Sequence, residues 1–396
     1  MVCFPCPSSS NGFPEETNTR IIMMGQIERL LELKPYEKPL PEKNLLFLSA
    51  LHESLVHHAT NNPLYLNFLK SHNYDYNRKP SCIEEIPYLP VNLFKNKQLL
   101  SVPKESIKKT LQSSATSGIP SKVNIDLLTS KRQTLVSTKV MTHFLGNHRR
   151  PFIILDVDPS KARSTEISAR YAATLGFMML ASKSYFALSE PEPGKLQLEL
   201  DLFQEYTDQL QKEEQDVCVF GFTFILYDHV IRPLKEKGIQ LTLPENSKIA
   251  HIGGWKKLES KKVGKKQFLE DIESTLGISP ENVIDVYGFT EQMGLIYPNR
   301  GMESKLTPCY AEIIIRDYQT LKPIRDGEEG LVQILTPVPH SYPGISILTE
   351  DVGVIRGREQ LPDGSNGIQF EILGRAKDAE VRGCGDIMSE YVTAQS

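Results

Sequence analysis

The sequence predicts an α/β protein: a layered, largely parallel sheet joined to a smaller antiparallel β subdomain. Three observations carry this. From residue 151 onward, short apolar strand patterns alternate with helical ones, the rhythm of parallel sheets. After residue 308 the segments become strands separated by Asp-Gly, Pro and Gly turns, which suits antiparallel pairing. The chain has 396 residues, 40% hydrophobic and 24% charged, enough for a large catalytic domain with an appendage.

Taken in order, residues 1–19 are rich in Pro, Ser, Gly and Asn and read as a disordered tail. Cys3 and Cys6 lie in it at C-x-x-C spacing, but no second ligand pair at zinc spacing follows, so free thiols are expected. Residues 20–33 place apolar side chains on one helical stripe, and a second helical pattern runs over 45–69. Residues 87–103 are punctuated by prolines and read as an extended connector. The α/β part follows, with strands at 151–157, 216–220, 248–252 and 282–287 and a helix at 169–181. The β-rich part, about 308–373, has strands at 310–315, 330–336, 344–349 and 367–373. Residues 20–373 thus read as one catalytic domain and 374–396 as a hinge with a short arm.

Composition excludes several function classes. Lys and Arg total 45 against 49 Asp and Glu, a net charge of −4, so no global basic field exists for nucleic acid or an anionic membrane. No apolar run approaches the roughly 18 residues of a membrane span. The N-terminus has neither the basic nor the apolar region of a secretory signal. Six cysteines are too sparse for a disulfide scaffold, and a reducing, cytoplasmic setting is expected. The lysine-rich stretch from Lys256 to Lys266 reads as a solvated loop.

Five motifs carry candidate chemistry. Residues 113–122, SSATSGIPSK, hold five hydroxyl side chains, Gly118 and Lys122, which suits a loop wrapped on phosphate oxygens. The G-x-x-x-x-G-K-[ST] spacing is absent, and such loops are also common surface turns. Residues 287–291, YGFTE, follow a strand, so Glu291 would face the crevice at the strand ends. Glutamate is a natural Mg²⁺ ligand beside phosphate oxygens, though an ordinary turn glutamate is the plainer alternative. In 349–351, TED, Asp351 can accept vicinal ribose hydroxyls or simply make an Asx turn. In 374–378, GRAKD, Arg375 and Lys377 can meet phosphate or ribose, and the Gly-bounded polar run ending at Asp378 can act as a hinge. In 382–386, RGCGD, Cys384 lies between two glycines, and Arg382 would favour its thiolate.

In this order, the motifs resemble those of the adenylate-forming superfamily of acyl-CoA synthetases, luciferases and peptide-synthetase adenylation domains. The resemblance covers about 113–386, and 251–255, HIGGW, fits it as well. It implies an adenylate-forming fold with ATP and Mg²⁺ as cofactors. It places Ser113, Ser114, Thr116, Ser117, Gly118 and Lys122 on the β- and γ-phosphates. Thr290 would lie near the α-phosphate and Glu291 on Mg²⁺. Tyr287, Gly288, Gly253 and Gly254 would border the adenine, and Asp351 the ribose, reinforced by Arg375. The sequence departs from the superfamily pattern: Ala115 stands where Gly is usual, and Lys122 falls one place late. Asp378 lies 18 residues from the end of the 396-residue chain, where a lid domain of roughly a hundred residues is usual. A truncated lid is the expectation.

That combination resembles the acyl-protein synthetases of bacterial luminescence operons, components of a fatty-acid reductase complex. The resemblance implies activation of a long-chain fatty acid, a thioester on Cys384, and delivery to an acyl reductase subunit that makes fatty aldehyde. A homo-oligomer is compatible with it. An apolar acyl pocket is implied, with residues 221–224 as one wall or as plain core. Two other readings stand beside this one: an acyl- or aryl-CoA ligase of the same superfamily, and a non-catalytic subunit with a relic nucleotide site.

Overall fold

The structure, a computed structural model, describes residues 24–113, 119–158, 169–192, 194–255 and 262–376. Three helices open the described chain: α1 (Gln26–Glu32), α2 (Leu40–Asn61) and α3 (Pro63–Ser71). The single helical pattern expected over 45–69 is thus two helices. Pro63 cannot donate into a continuing helix, and Asn62 caps the new one, its side chain accepting the Tyr65 N–H at 2.9 Å. The expected extended connector contains a short strand, β1 (Leu89–Pro90), and one helical turn, α4 (Leu93–Asn96).

Next comes a hairpin, β2 (Ile107–Gln112) and β3 (Lys122–Asp126), which carries the hydroxyl-rich loop at its tip. α5 (Leu127–Leu145) follows, capped by Asp126, whose carboxylate accepts the Thr129 N–H at 2.8 Å. The main sheet then collects β4 (Phe152–Val157), β5 (Ser184–Glu192), β6 (Lys195–Leu198), β7 (Cys218–Phe222), β8 (Lys248–Ile252), β9 (Val283–Tyr287) and β10 (Tyr297–Arg300). α6 (Ala169–Met178), α7 (Leu200–Lys212), α8 (Thr223–Ile225), α9 (Arg232–Glu236) and α10 (Lys265–Leu276) connect them, with a π turn, Leu226–Ile231, joining α8 to α9. The order is β10-β9-β8-β7-β4-β5-β6. The five inner strands are parallel and the two edge strands antiparallel. The chain turns back between β4 and β7, the switch point where such sheets bind ligands at their strand ends.

A second sheet runs β11 (Lys305–Leu306), β15 (Gln369–Arg375), β14 (Ser346–Gly357), β13 (Gly330–Leu335) and β12 (Glu312–Arg316), all antiparallel. β1 joins it in parallel against β14. The expected strands of both sheets are present within two residues at each end, except that β14 runs eight residues past the expected end at 349, which puts Asp351 within a strand rather than at a turn. One apolar cluster runs from the N-terminal helices through the second sheet to one face of the main sheet, and another fills the opposite face of the main sheet. A buried ion pair, Lys43 to Glu312, ties α2 to β12, and Lys43 also donates to Ala311 O at 2.9 Å. Among the described residues, no helix is long and apolar enough to cross a membrane.

One close approach sets the position of the segment after β9. Gly294 has φ +90°, and a Cβ there would lie 2.4 Å from Gln133 Cβ on α5. Gly294→Ala is therefore expected to lower stability by roughly 2–5 kcal/mol, from strain at positive φ plus overpacking against a helix. The urea midpoint of the variant measures this; an unchanged midpoint would show that α5 and this segment are not in close contact.

Candidate active site

The site forms where the C-terminal edge of the main sheet meets the second sheet. β8 and β9 pair in parallel up to Ile252 and Val286. Gly253–Gly254 and Tyr287–Gly288 therefore leave the sheet side by side. Gly253 has φ +81°, a backbone conformation that favours glycine. Its carbonyl accepts the Thr223 hydroxyl, whose oxygen also lies 2.9 Å from His251 Nδ1. Since the Thr223 proton is committed to Gly253, His251 Nδ1 must carry the proton in that pair. Burial pushes His251 down to about 4, so the ring is neutral at pH 7. His251 and Thr223 together fix the Gly253 turn.

Beyond Tyr287 the chain makes one 3₁₀ turn, Thr290–Gln292, whose three residues are buried. The second sheet pins it. Tyr342 donates to Glu291 O at 2.9 Å, and Gln292 Nε2 donates to Gly344 O at 2.8 Å. Glu291 is 4% exposed. Burial pushes its carboxyl up, against the Ser121 hydroxyl, its own N–H, and the positive charges of Lys95 and Arg375. Ser121 belongs to the hydroxyl-rich loop. Its N–H donates to Ser113 Oγ at 2.9 Å and its carbonyl accepts the Ser113 N–H at 3.0 Å, closing the neck of that loop. Lys122, next in the chain, is exposed at the start of β3.

Asp351 approaches from β14. The Tyr287 hydroxyl donates to Asp351 Oδ2 at 2.6 Å, and Arg375 Nε lies 3.5 Å from Oδ1. Asp351 and Arg375 are direct cross-strand partners of β14 and β15. Burial pushes the Asp351 carboxyl up, against the Tyr287 hydrogen bond and Arg375. Burial and the adjacent Asp351 push the Tyr287 phenol well above its ordinary value.

The structure thus brings Ser113, Gly253, Gly254, Tyr287, Gly288, Thr290, Glu291, Asp351 and Arg375 to one edge, with Lys122 at the loop end of the hairpin. Ser114, Thr116, Ser117, Gly118, Lys377, Asp378 and Cys384 lie outside the described residues, as do Cys3 and Cys6. Ser121, counted among the loop hydroxyls but given no role of its own, is the one that reaches Glu291. Its place just before an alternating strand was the available signal. Thr223 was read only as part of an apolar wall.

Among the described residues, no group of three or more His, Cys, Asp or Glu is placed to hold a metal. A single buried carboxylate still fits Mg²⁺, which takes one or two carboxylates and completes its shell with phosphate oxygens and water.

The family model for acyl-protein synthetase, LuxE, matches residues 16–393. The chain belongs to this family. As a member of the acyl-protein synthetases it is an enzyme of the ligase class. It is 24% identical over 382 residues to the long-chain-fatty-acid–luciferin-component ligase of Aliivibrio fischeri, covering 96% of this chain and 97% of the relative. The ligase of the same name from Vibrio harveyi is 24% identical over 317 residues, 79% of this chain and 80% of the relative. Among solved structures, 2-hydroxyisobutyryl-CoA ligase, in an open conformation with 2-HIB-AMP and CoA, superposes with a TM-score of 0.65 at 14% identity. That match covers 87% of this synthetase and 77% of the ligase. The likeness shows the adenylate-forming ligase fold.

The buried carboxylate has a consequence for stability. Glu291 is raised in the fold, so the folded state keeps a proton that the unfolded chain has already released. The cost of ionising it in the fold is absent below the unfolded glutamate value, about 4.3, and grows as pH rises through that value and the higher folded one. Glu291→Gln keeps the shape and removes the charge. The variant's thermal midpoint should match wild type most closely near pH 4, and its advantage should grow as pH rises from there and level off once the folded carboxyl has ionised. A difference that does not change with pH would contradict a desolvated carboxylate.

Proposed function

We propose that this synthetase activates a long-chain fatty acid with ATP as an acyl adenylate, then carries the acyl group as a thioester on its own Cys384 for an acyl reductase. Support comes chiefly from the convergence of the hydroxyl loop, through Ser121, on Glu291 beside the Tyr287–Asp351–Arg375 group. A fatty carboxylate is a poor electrophile, and activation must replace its oxygen by a better leaving group. A carboxylate oxygen attacks the α-phosphorus, the bond to the β-phosphate bridge breaks, and pyrophosphate leaves. Such a transfer needs positioning and charge neutralisation more than covalent chemistry.

Each residue has a part in that step. The loop from Ser113 to Lys122 cradles the β- and γ-phosphates, and Thr290 lies by the α-phosphate. Glu291, with Ser121 beside it, is the carboxylate that would hold Mg²⁺; the ion supplies neutralisation of phosphate charge. Asp351, oriented by Tyr287 and Arg375, accepts the ribose hydroxyls. Gly253, Gly254 and Gly288 leave room for the adenine against Tyr287. Residues 221–224 are core rather than a wall for the acyl chain: Phe222 is buried, and a Cβ on Gly221 would meet Leu155 Cβ at 2.8 Å.

In the second step the Cys384 thiolate attacks the acyl carbonyl carbon. A carbon–sulfur bond forms, the carbon–oxygen bond to phosphate breaks, AMP leaves with the electron pair, and the thiol proton goes to solvent. The described cysteines suit this role poorly. Cys218 and Cys309 are buried, with thiols pushed up to about 12. Cys82 is exposed, and partial burial and Glu84 raise its thiol too. Residues 374–396 act as hinge and arm, and the glycines beside Cys384 let it reach first the adenylate and then the reductase.

Two variants separate the half-reactions. Glu291→Ala should reduce fatty-acid-dependent ATP–pyrophosphate exchange at least about a thousandfold, the loss of several kcal/mol of charge stabilisation. Cys384→Ser should keep exchange but lose hydroxylamine-labile acylation, because a hydroxyl is a far weaker nucleophile than a thiolate at pH 7. Wild-type exchange in Glu291→Ala, or a thioester on Cys384→Ser, would remove the residue concerned from the mechanism.

A further inference from the structure

Lys95 reaches the site from a segment that none of the sequence motifs includes. β1 adds to the second sheet with Leu89 beside Ile347 and Pro90 beside Leu348. The Val91 N–H then donates to Leu348 O at 2.9 Å, extending the pairing just short of Thr349. α4 begins two residues later and packs also on β3, the strand that leaves the hydroxyl-rich loop. Phe94 anchors it: the side chain is buried and its ring stands edge-on to Tyr342, centroids 6.1 Å apart. Tyr342 is the residue whose hydroxyl holds the Glu291 carbonyl. One helical turn thus packs on β3 and on Tyr342, with its Lys95 facing Glu350 of the Asp351 strand.

Lys95 stands on that turn with its Nζ 3.7 Å from Glu350 Oε1. Its charge also pulls the Glu291 carboxyl down against burial. The two side chains of the Lys95–Glu350 pair are 26% and 33% exposed. At 3.7 Å the contact is longer than a charge-assisted hydrogen bond, about 2.7–2.9 Å, and it is open to solvent, so it does little to hold the fold. The ammonium is a compact charge with three rotatable donors on a flexible stem, placed where it can exchange Glu350 for another anion.

We propose that Lys95 is a cation of the phosphate subsite, its ammonium leaving Glu350 to contact non-bridging oxygens of the bound ATP polyphosphate. The proposal rests on the reading of this edge as an ATP site. Glu350 is then a resting partner that keeps the lysine aimed at the subsite, and the negative charge of the nucleotide displaces it. Because the contact is to phosphate alone, Lys95 matters for ATP and not for adenosine.

Calorimetric binding of ATP and of adenosine to the full chain tests this, using wild type, Lys95→Met, Lys95→Arg and Glu350→Gln, with thermal midpoints to establish folding. Lys95→Met should weaken ATP at least tenfold and change adenosine less than twofold, and Lys95→Arg should recover most of the loss. Glu350→Gln should leave ATP affinity unchanged or tighter. Unchanged ATP affinity in Lys95→Met overturns the proposal while leaving the ATP reading intact. So do equal losses of both ligands in Lys95→Met and Glu350→Gln, the mark of a merely structural pair. A wild-type chain that binds no ATP and shows no fatty-acid-dependent exchange overturns the ATP reading and the role of Lys95 with it.

Discussion

The interaction on which the site depends is the burial of the Glu291 carboxylate between two sheets. Taking an ionisable group out of water is costly, and the cost appears as its raised proton affinity. The fold accepts this because the turn that carries it is held from outside: Tyr342 binds the Glu291 carbonyl and Gln292 reaches the Gly344 carbonyl. Gly344 lies so close that a Cβ there would be 3.2 Å from Glu291 O. The second sheet is therefore part of the device that places a desolvated carboxylate at the end of β9.

The same seam is closed a second time by Tyr287 and Asp351, 64 residues apart, with Arg375 on the neighbouring strand. Two carboxyl groups, both raised by burial, thus sit at one edge with hydroxyl donors and cations beside them. A polyanionic nucleotide bound through a divalent cation would relieve that imbalance. Ligand binding and the stability of the seam are linked for this reason, as anything that binds only the folded state stabilises it.

Much of this was legible in the sequence where the signal is local. Four of the five inner parallel strands, β4, β7, β8 and β9, are largely buried and read as apolar runs, and 248–252 is β8 to the residue, whereas β5 was not legible because half-exposed and polar residues interrupt it. Glu291 and Asp351 stood out as carboxylates in polar motifs, one directly after a strand. α5 was not legible because its buried face mixes Thr129, Arg132 and Gln133 with Val136, Val140 and Phe144, which blurs the apolar stripe. α7 buries Thr207 between Phe203 and Leu210 in the same way. The break at Asn62-Pro63 was legible in principle, as a cap followed by proline. The partnerships were not: no local pattern tells that Leu89 pairs with Ile347, that Ser121 reaches Glu291, or that Lys95 faces Glu350. Those contacts depend on how distant segments are brought together.

In the proposed reaction the acyl group is activated by attack of its carboxylate on the α-phosphorus at this edge. Isotope transfer tests it most directly. The full chain is incubated with ATP, Mg²⁺ and a long-chain fatty acid carrying ¹⁸O in both carboxyl oxygens, and the nucleotide and phosphate products are separated and weighed by mass spectrometry. Adenylation leaves the bridging oxygen on phosphorus when the thiolate cleaves the acyl bond, so one ¹⁸O should appear in AMP and none in pyrophosphate. Recovery of ¹⁸O in inorganic phosphate with ADP as the nucleotide product would mean attack on the γ-phosphorus, and would contradict the account.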